Sequence, residues 1–279
     1  MIVRDVLKEG SEVLKNSLID TAYLDSSLLL AKCLDISKEK LYASFPDEVP
    51  GETYEKFQVL LSERIDGHPV AYIVGEKEFF GLRFLVEEGV LCPRPDTELL
   101  VEKVLSLTEN DNNIKDVLDL CTGTGCIAIS VKVNNQNLNV YASDISSVSE
   151  SVFSQNNCSL AEKSITFTRS SLFDSIEGTF DIIVSNPPYL TTEETVQRMD
   201  EGWKEPELAL DGGGDGLDLI RTIIDEAPQY LNKRGYLLIE AHPSQMEIMK
   251  SCMKISGFEN IIILQDLPGL DRVICGTKG

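Results

Sequence analysis

The stretch Val184-Ser185-Asn186-Pro187-Pro188-Tyr189 carries the densest chemistry in the chain. Asn186 offers a side-chain carbonyl acceptor, and Pro187 keeps a backbone carbonyl although it has no N–H to give. Two acceptors held close together suit the two N–H donors of a planar NH₂ group, and Tyr189 supplies an aromatic face to stack on the plane carrying that nitrogen. The preceding run, Phe180-Asp181-Ile182-Ile183, is short and apolar enough for a buried parallel strand. Two prolines then forbid the strand from continuing, because they lack donors and fix their own φ. The turn therefore falls at the carboxyl end of a strand, where open α/β sheets bind ligands. Taken alone, the tetrapeptide reads equally well as a proline-rich strand-to-loop turn with a structural asparagine. The sequence upstream tips the balance.

There, Val117-Leu118-Asp119-Leu120 predicts a first strand, and Cys121-Thr122-Gly123-Thr124-Gly125 turns it into a helix through Ile127, Ala128, Ile129 and Val131. Glycines permit close backbone approach to a ligand, and a helix start offers free N–H groups. A second strand, Asn139 to Ser143, ends at Asp144, an acid placed to take a ribose diol. A dinucleotide site wants a third glycine so that helix and strand pack under a pyrophosphate. The loop here reads CTGTGC, and no phosphate-loop lysine follows. A ligand with adenosine and ribose but no phosphates fits better, which points to S-adenosylmethionine.

These residues need a scaffold, and the rest of the chain supplies one. From residue 116 short apolar runs alternate with longer amphipathic ones, the pattern of a parallel sheet. A third strand at 165–167 leads to Ser170-Ser171-Leu172-Phe173. Residues 190–216 form a long polar segment with the single tryptophan, Trp203, and a glycine-rich run to Gly216; it is expected to be a flexible wall of the substrate cleft. A helix over 217–231, a strand over 236–240, a helix over 244–256 and strands near 260–265 and 271–276 complete the sheet. Before all this, apolar residues at helical spacing predict four helices up to about Gly75, with Ser37 as an N-cap and Pro46 and Pro50 as breaks. That bundle holds no catalytic constellation and serves either as a structural cap or as a docking element for a partner, the role we favour. Phe79, Phe80, Leu82, Phe84 and Val86 around Gly81 predict a β-hairpin. Pro93 to Glu98 marks a helix start with acids in its first turn, or else places Arg94 or Thr97 over a bound ligand. The expected organisation is a helical bundle over 1–75, a hairpin linker over 76–92 and a catalytic domain over 93–279.

Composition narrows the function classes. The chain has 279 residues, 42% hydrophobic and 25% charged, ordinary for a soluble protein, but its formal net charge is −21. That excess of acid argues against broad contact with a nucleic-acid backbone, which is gripped by Lys and Arg. Seven scattered cysteines without a CxxC pair, and only His68 and His242, make a zinc site improbable and fit a reducing cytosol. No signal peptide and no apolar run of membrane-spanning length are evident, so a cytoplasmic location without membrane contact is expected.

In order along the chain stand Arg64 to Ile73, Glu78-Phe79 with Gly81 to Phe84, Pro93 to Glu98, DLCTGTG from Asp119, NPPY from Asn186, Glu205-Pro206 through Ala209-Leu210 to Asp215-Gly216, and Asp271-Arg272-Val273. This series resembles the HemK-type methyltransferases that modify a glutamine of peptide chain release factors. The resemblance implies an α/β fold of the class I S-adenosylmethionine-dependent methyltransferase type, a seven-stranded Rossmann-like sheet with an N-terminal helical bundle and a hairpin linker. It implies methylation of the N5 amide nitrogen in the release factor's GGQ motif. It places cofactor binding on Cys121, Thr122, Gly123, Thr124, Gly125, Asp144, Leu172 and Asn186, substrate binding on Asn186, Pro187, Pro188 and Tyr189, and catalysis on Asn186, Pro187 and Tyr189, with no metal. Three positions depart from the pattern: Cys121 stands for a glycine, Leu172 for a tryptophan, and Ala241-His242 for Ile-Gly. Alternatives are a glutamine methyltransferase for a ribosomal protein, a DNA adenine N6-methyltransferase using the same turn on a flipped base, and a catalytically dead translation-factor-binding module. No general base is evident, and His242 is expected to be structural or on the surface.

Overall fold

The structure, a computed structural model, describes residues 1–279 and divides them into two units, Met1–Glu76 with Asp200–Lys204 and Lys77–Met199 with Glu205–Gly279. In the first unit, helices α1 (Val3–Asn16), α2 (Ala22–Leu34), α3 (Lys38–Ala43), α4 (Gly51–Ile65) and α5 (Val70–Val74) enclose one core. Val3, Val6, Leu7 and Leu14 line one face of α1 and are buried against Leu29, Leu30, Phe57 and Leu61. Ser37 caps α3, its hydroxyl accepting from the Lys40 amide at 3.3 Å. The fifth helix, α5, has no periodicity to betray it, because it is a single short turn set between Pro69 and Gly75. Asp25, 2% exposed, receives the Arg64 Nε–H at 2.7 Å, the pairing that a buried carboxylate requires.

A hairpin of β1 (Glu76–Phe79) and β2 (Leu82–Leu85) follows in the chain. Phe80 and Gly81 at its tip both have positive φ, 49° and 73°, as a two-residue turn matched to strand twist demands. After the 3₁₀ turn Pro95–Thr97 come α6 (Glu98–Asn110), β3 (Asp116–Leu120), α7 (Cys126–Asn134), β4 (Asn139–Asp144), α8 (Ser147–Leu160), β5 (Thr166–Arg169), β6 (Phe180–Ser185), α9 (Thr192–Asp200), α10 (Asp218–Tyr230), β7 (Leu231–Glu240), α11 (Met246–Ile255), β8 (Phe258–Gln265) and β9 (Asp271–Lys278). Asn156 of α8 ties the hairpin down, donating to the Leu85 carbonyl at 3.1 Å and accepting from its amide at 2.8 Å.

The sheet has the order β5-β4-β3-β6-β7-β9-β8, with β9 antiparallel to both neighbours and the other pairs parallel. Both faces are covered. Val117, Ile182, Val184 and Leu238 enter one core, while Leu118, Ile183, Leu237 and Ile239 enter the other. This is why the strands read as unbroken apolar runs. Because β4 and β6 lie on opposite sides of β3, the connections diverge there and open a crevice at the carboxyl ends of β3 and β6. The expected α/β sheet of seven strands is therefore the fold. Most elements lie within a few residues of their expected limits, although β7 starts at Leu231, directly after α10. No helix is long and apolar enough to cross a membrane.

The segment 190–216 differs from the flexible wall expected of it. It contains α9, a 3₁₀ turn at Glu207–Ala209 and a bridge between Leu190 and Asp211. Thr191 and Glu194 form a reciprocal cap at the start of α9: the Thr191 hydroxyl accepts from the Glu194 amide at 3.1 Å, and the Glu194 carboxylate accepts from the Thr191 amide at 2.9 Å. The T-x-x-E spacing was legible in the sequence as a helix start.

Candidate active site

The glycine loop turns on three left-handed residues at alternate positions, Cys121 (φ 60°), Gly123 (φ 54°) and Gly125 (φ 83°). Asp119, fully buried at the end of β3, anchors it from below. One Asp119 oxygen accepts from the Thr122 hydroxyl at 2.6 Å and the Ala128 amide at 3.1 Å, and the other has no partner. Burial pushes this carboxyl up to about 7. On the adjacent strand end, Asp144 accepts from the Gly123 amide at 2.9 Å and from the Ser146 amide at 2.9 Å. Burial raises its proton affinity too, and those backbone donors oppose the rise.

Cys121, Gly123, Asp144, Leu172, Asn186 and Pro188 line one cavity, together with apolar groups from Ile145, Pro206, Leu208 and Ala209. At Gly123 an added Cβ would meet nothing within 4 Å, so the backbone faces open space. An acid at one side, bare backbone beneath and apolar groups around Leu172 form a cradle. Thr122, Thr124, Gly125, Pro187 and Tyr189, also expected at the site, do not line that cavity. Thr122 turns to Asp119, and the Thr124 carbonyl accepts from Asn156 at 3.0 Å. Gly125 lies against Phe153 and Ile129, where a Cβ would come within 2.6 Å and 2.9 Å. Cys121 is no nucleophile, since burial pushes its thiol up to about 12.

The turn after β6 is braced on several sides. Ser185 donates its hydroxyl to the Leu120 carbonyl at 2.8 Å, locking the turn to the glycine loop. Asn186 donates from Nδ2 to the Thr97 hydroxyl at 3.1 Å, while its Oδ1 has no hydrogen-bond partner. Tyr189 is largely buried, and that burial pushes its phenol up to about 12. Its carbonyl accepts from Gln245 Nε2 at 2.9 Å. Gln245 is delivered by a turn that His242 caps, His242 Nδ1 accepting from the Ser244 amide at 3.4 Å and the His242 amide donating to Gln245 Oε1 at 3.0 Å. His242 thus has a structural task at the departure from the family pattern.

Neither Arg94 nor Thr97 lies on the cavity. Arg94 pairs with Glu205, which also accepts from the Cys92 amide at 3.0 Å and is 4% exposed. This bond holds the start of the wall that continues through Pro206, Leu208 and Ala209. Sequence reasoning missed the roles of Glu205 and Gln245. Glu240 ends β7 at 1% exposure, and burial pushes its carboxyl up to about 7.

Residues 5–75 match the family described as PrmC N-terminal domain, and residues 82–215 match the methyltransferase small domain. A release factor glutamine methyltransferase of Leptospira interrogans is 38% identical over 278 residues, covering 98% of this chain and 97% of the relative. The chain belongs to the release factor glutamine methyltransferase family. A member from Clostridium botulinum is 36% identical over 285 residues, with 100% of each chain covered. A methyltransferase from Pyrococcus furiosus shares the fold at TM-score 0.52 and 17% identity, covering 73% of this chain and 92% of that one. Membership makes this chain a methyltransferase.

Proposed function

We propose that this chain transfers a methyl group from S-adenosylmethionine to the side-chain amide nitrogen of a glutamine in a peptide chain release factor, in the cytoplasm. The observation that carries the reading is the Oδ1 of Asn186, a buried acceptor with no partner of its own on a residue that lines the cradle. In this reading Cys121, Gly123, Asp144 and Leu172 hold the cofactor, with the neighbouring Thr122, Thr124 and Gly125 shaping the loop. Asp144 takes the ribose hydroxyls and Leu172 gives the adenine an apolar contact. S-adenosylmethionine supplies a methyl group made electrophilic by its sulfonium.

An amide nitrogen is a poor nucleophile, because its lone pair is shared with the carbonyl. Asn186 Oδ1 and the Pro187 carbonyl bind its two hydrogens and fix its direction, while Tyr189 and Pro188 confine the amide plane. Orientation of this kind supplies up to ~7–11 kcal/mol in well-aligned systems. The same two acceptors favour the positive charge that develops on nitrogen as the new bond forms. The proton lost afterwards passes to water. Residues 1–75 dock the protein substrate, residues 76–92 link, and residues 93–279 catalyse.

The reading is tested by supplying labelled methyl donor with release factor, a ribosomal protein and duplex DNA in parallel. Label on the release factor glutamine is the expected result. Label on the ribosomal protein or on DNA alone would replace the substrate, and label on none would indicate a binding module.

A further inference from the structure

We propose that Gln245 is a positioning residue for the turn 186–189: its side-chain amide clasps the Tyr189 carbonyl to the glycine-rich loop 211–216 and so holds the far end of the turn in place. The inference rests on the reading of that turn as the part that grips the glutamine amide, and it adds a residue 56 positions beyond Tyr189 that keeps the turn where it is.

A turn with two consecutive prolines has few handles of its own. Pro187 and Pro188 carry no N–H, so the middle of the turn has no backbone donor with which to tie itself down. Its position must be set from the flanks. On the near side Ser185 donates its hydroxyl to the Leu120 carbonyl at 2.8 Å. On the far side the Tyr189 carbonyl accepts from Gln245 Nε2 at 2.9 Å. The same nitrogen lies 3.3 Å from the Asp215 carbonyl oxygen and 3.3 Å from that of Gly216. Three carbonyl oxygens therefore converge on one NH₂ group, and its two hydrogens serve all three, one of them shared. Oxygens gathered in this way repel one another unless a donor stands between them. Gln245 is 7% exposed, so water has little access to take its place.

The direction of the Gln245 amide is fixed from behind. Its Oε1 accepts from the His242 amide at 3.0 Å, and His242 Nδ1 accepts from the Ser244 amide, closing a capping box over the 3₁₀ turn Pro243–Gln245. A half-turn of the amide would set Oε1 against three carbonyl oxygens and Nε2 against an N–H, so only one orientation satisfies every partner. The loop that shares the clasp is itself anchored. Asp215 takes a bidentate pair from Arg221 of α10 at 2.9 Å and 2.5 Å, and the Asp218 amide donates to the Gly212 carbonyl at 2.9 Å. Loop and turn also meet backbone to backbone. A Cβ at Gly212 would lie 2.7 Å from the Pro188 carbonyl oxygen, and one at Gly216 would strike that of Tyr189 and come within 2.6 Å of Gln245 Nε2. Gln245 itself does not line the cofactor cavity, so its task is separable from cofactor binding.

The test compares wild type, Gln245→Met, Gln245→Glu and Asn186→Ala in kcat and KM with release factor, each rate expressed per cofactor site counted by calorimetric titration with S-adenosylmethionine. Methionine keeps the length of the side chain without a donor, and an ionised glutamate keeps its shape without one. Both Gln245 variants should bind cofactor within about threefold of wild type. They should lose about 10–100-fold in kcat per site, with KM for release factor little changed. A merely structural role would lower the number of sites and leave the rate of each intact. Wild-type kcat per site in Gln245→Met overturns the proposal, as does a folded variant whose only defect is weakened cofactor binding. Should neither variant fold, hydrogen exchange in wild type decides: the Gln245 side-chain amide should exchange about a hundredfold or more slower than that of an exposed glutamine. Exchange at the exposed rate overturns the proposal. Wild-type turnover in Asn186→Ala would remove the underlying reading instead. An inactive Asn186→Ala beside a fully active Gln245→Met would sink the Gln245 role alone.

Discussion

Gly123 and Gly125 stand two residues apart in one loop, both in left-handed backbone, and the structure separates what each is for. At Gly125 an added Cβ would lie 2.6 Å from Phe153 Cδ2 and 2.9 Å from Ile129 Cδ1. At Gly123 nothing lies within 4 Å, and the residue borders the cavity. Alanine in left-handed backbone costs ~1–2 kcal/mol at either position. Overpacking adds ~1–3 kcal/mol at Gly125, for a total of ~2–5 kcal/mol. At ~2–4 °C per kcal/mol for a unit of this size, Gly125→Ala should melt roughly 4–20 °C below wild type. Gly123→Ala should lose at most ~8 °C on the same scale. Binding reverses the order. Calorimetric titration with S-adenosylmethionine, at a temperature where both variants are folded, should show Gly123→Ala weakened about tenfold or more, since its methyl occupies ligand space. Gly125→Ala should bind within about threefold of wild type. Unaltered affinity in Gly123→Ala would mean that the ligand does not lie against this loop, and equal melting temperatures would refute the packing role of Gly125.

Two further outcomes follow from buried charges. Arg94→Ala leaves the Glu205 carboxylate, whose side chain is 3% exposed, without its cation. The cost should be about 2–4 kcal/mol, below the fully buried range because the guanidinium is 39% exposed. Because Glu205 opens the cavity wall, cofactor affinity should fall along with melting temperature, and Arg94→Lys should restore part of both; an Arg94→Ala protein unchanged in both would contradict the anchoring role. Asp119 has its folded-state pKa raised to about 7 by burial, so folding favours its protonated form. That contribution is complete below ~pH 4 and is lost as pH rises toward 7, amounting to ~4 kcal/mol at most. Urea unfolding across this range should show wild type losing more stability than Asp119→Asn, while parallel curves would exclude the effect.

The parts of the site carried by neighbouring residues were legible in the sequence itself. Pro187 and Pro188 had to end β6, and the glycines after Leu120 had to turn β3 into α7. What escaped is held by contacts between distant positions. Thr97 meets Asn186 across 89 residues, and Glu205 reaches Cys92 across 113. Neither pairing leaves a periodicity or a spacing to read. Thr122 and Thr124 were expected on the ligand because they fall in the glycine loop, residues 121–125, that the family resemblance places on the cofactor. The alternation of left-handed residues instead turns them into the unit, one to Asp119 and one to the Asn156 that holds the hairpin. Polarity misled in the segment 190–216, where charged residues and glycines suggested mobility. Its order comes from the Thr191–Glu194 cap and from Gly212, whose amide donates to the Leu190 carbonyl at 2.8 Å.

The most direct measurement is a crystal structure of the enzyme with S-adenosylhomocysteine and a release factor, read at Asn186. The account expects the glutamine NH₂ within ~2.7–3.2 Å of both Asn186 Oδ1 and the Pro187 carbonyl, with its nitrogen facing the cofactor sulfur. A glutamine bound elsewhere, or an Asn186 that presents its nitrogen to the substrate, would contradict it.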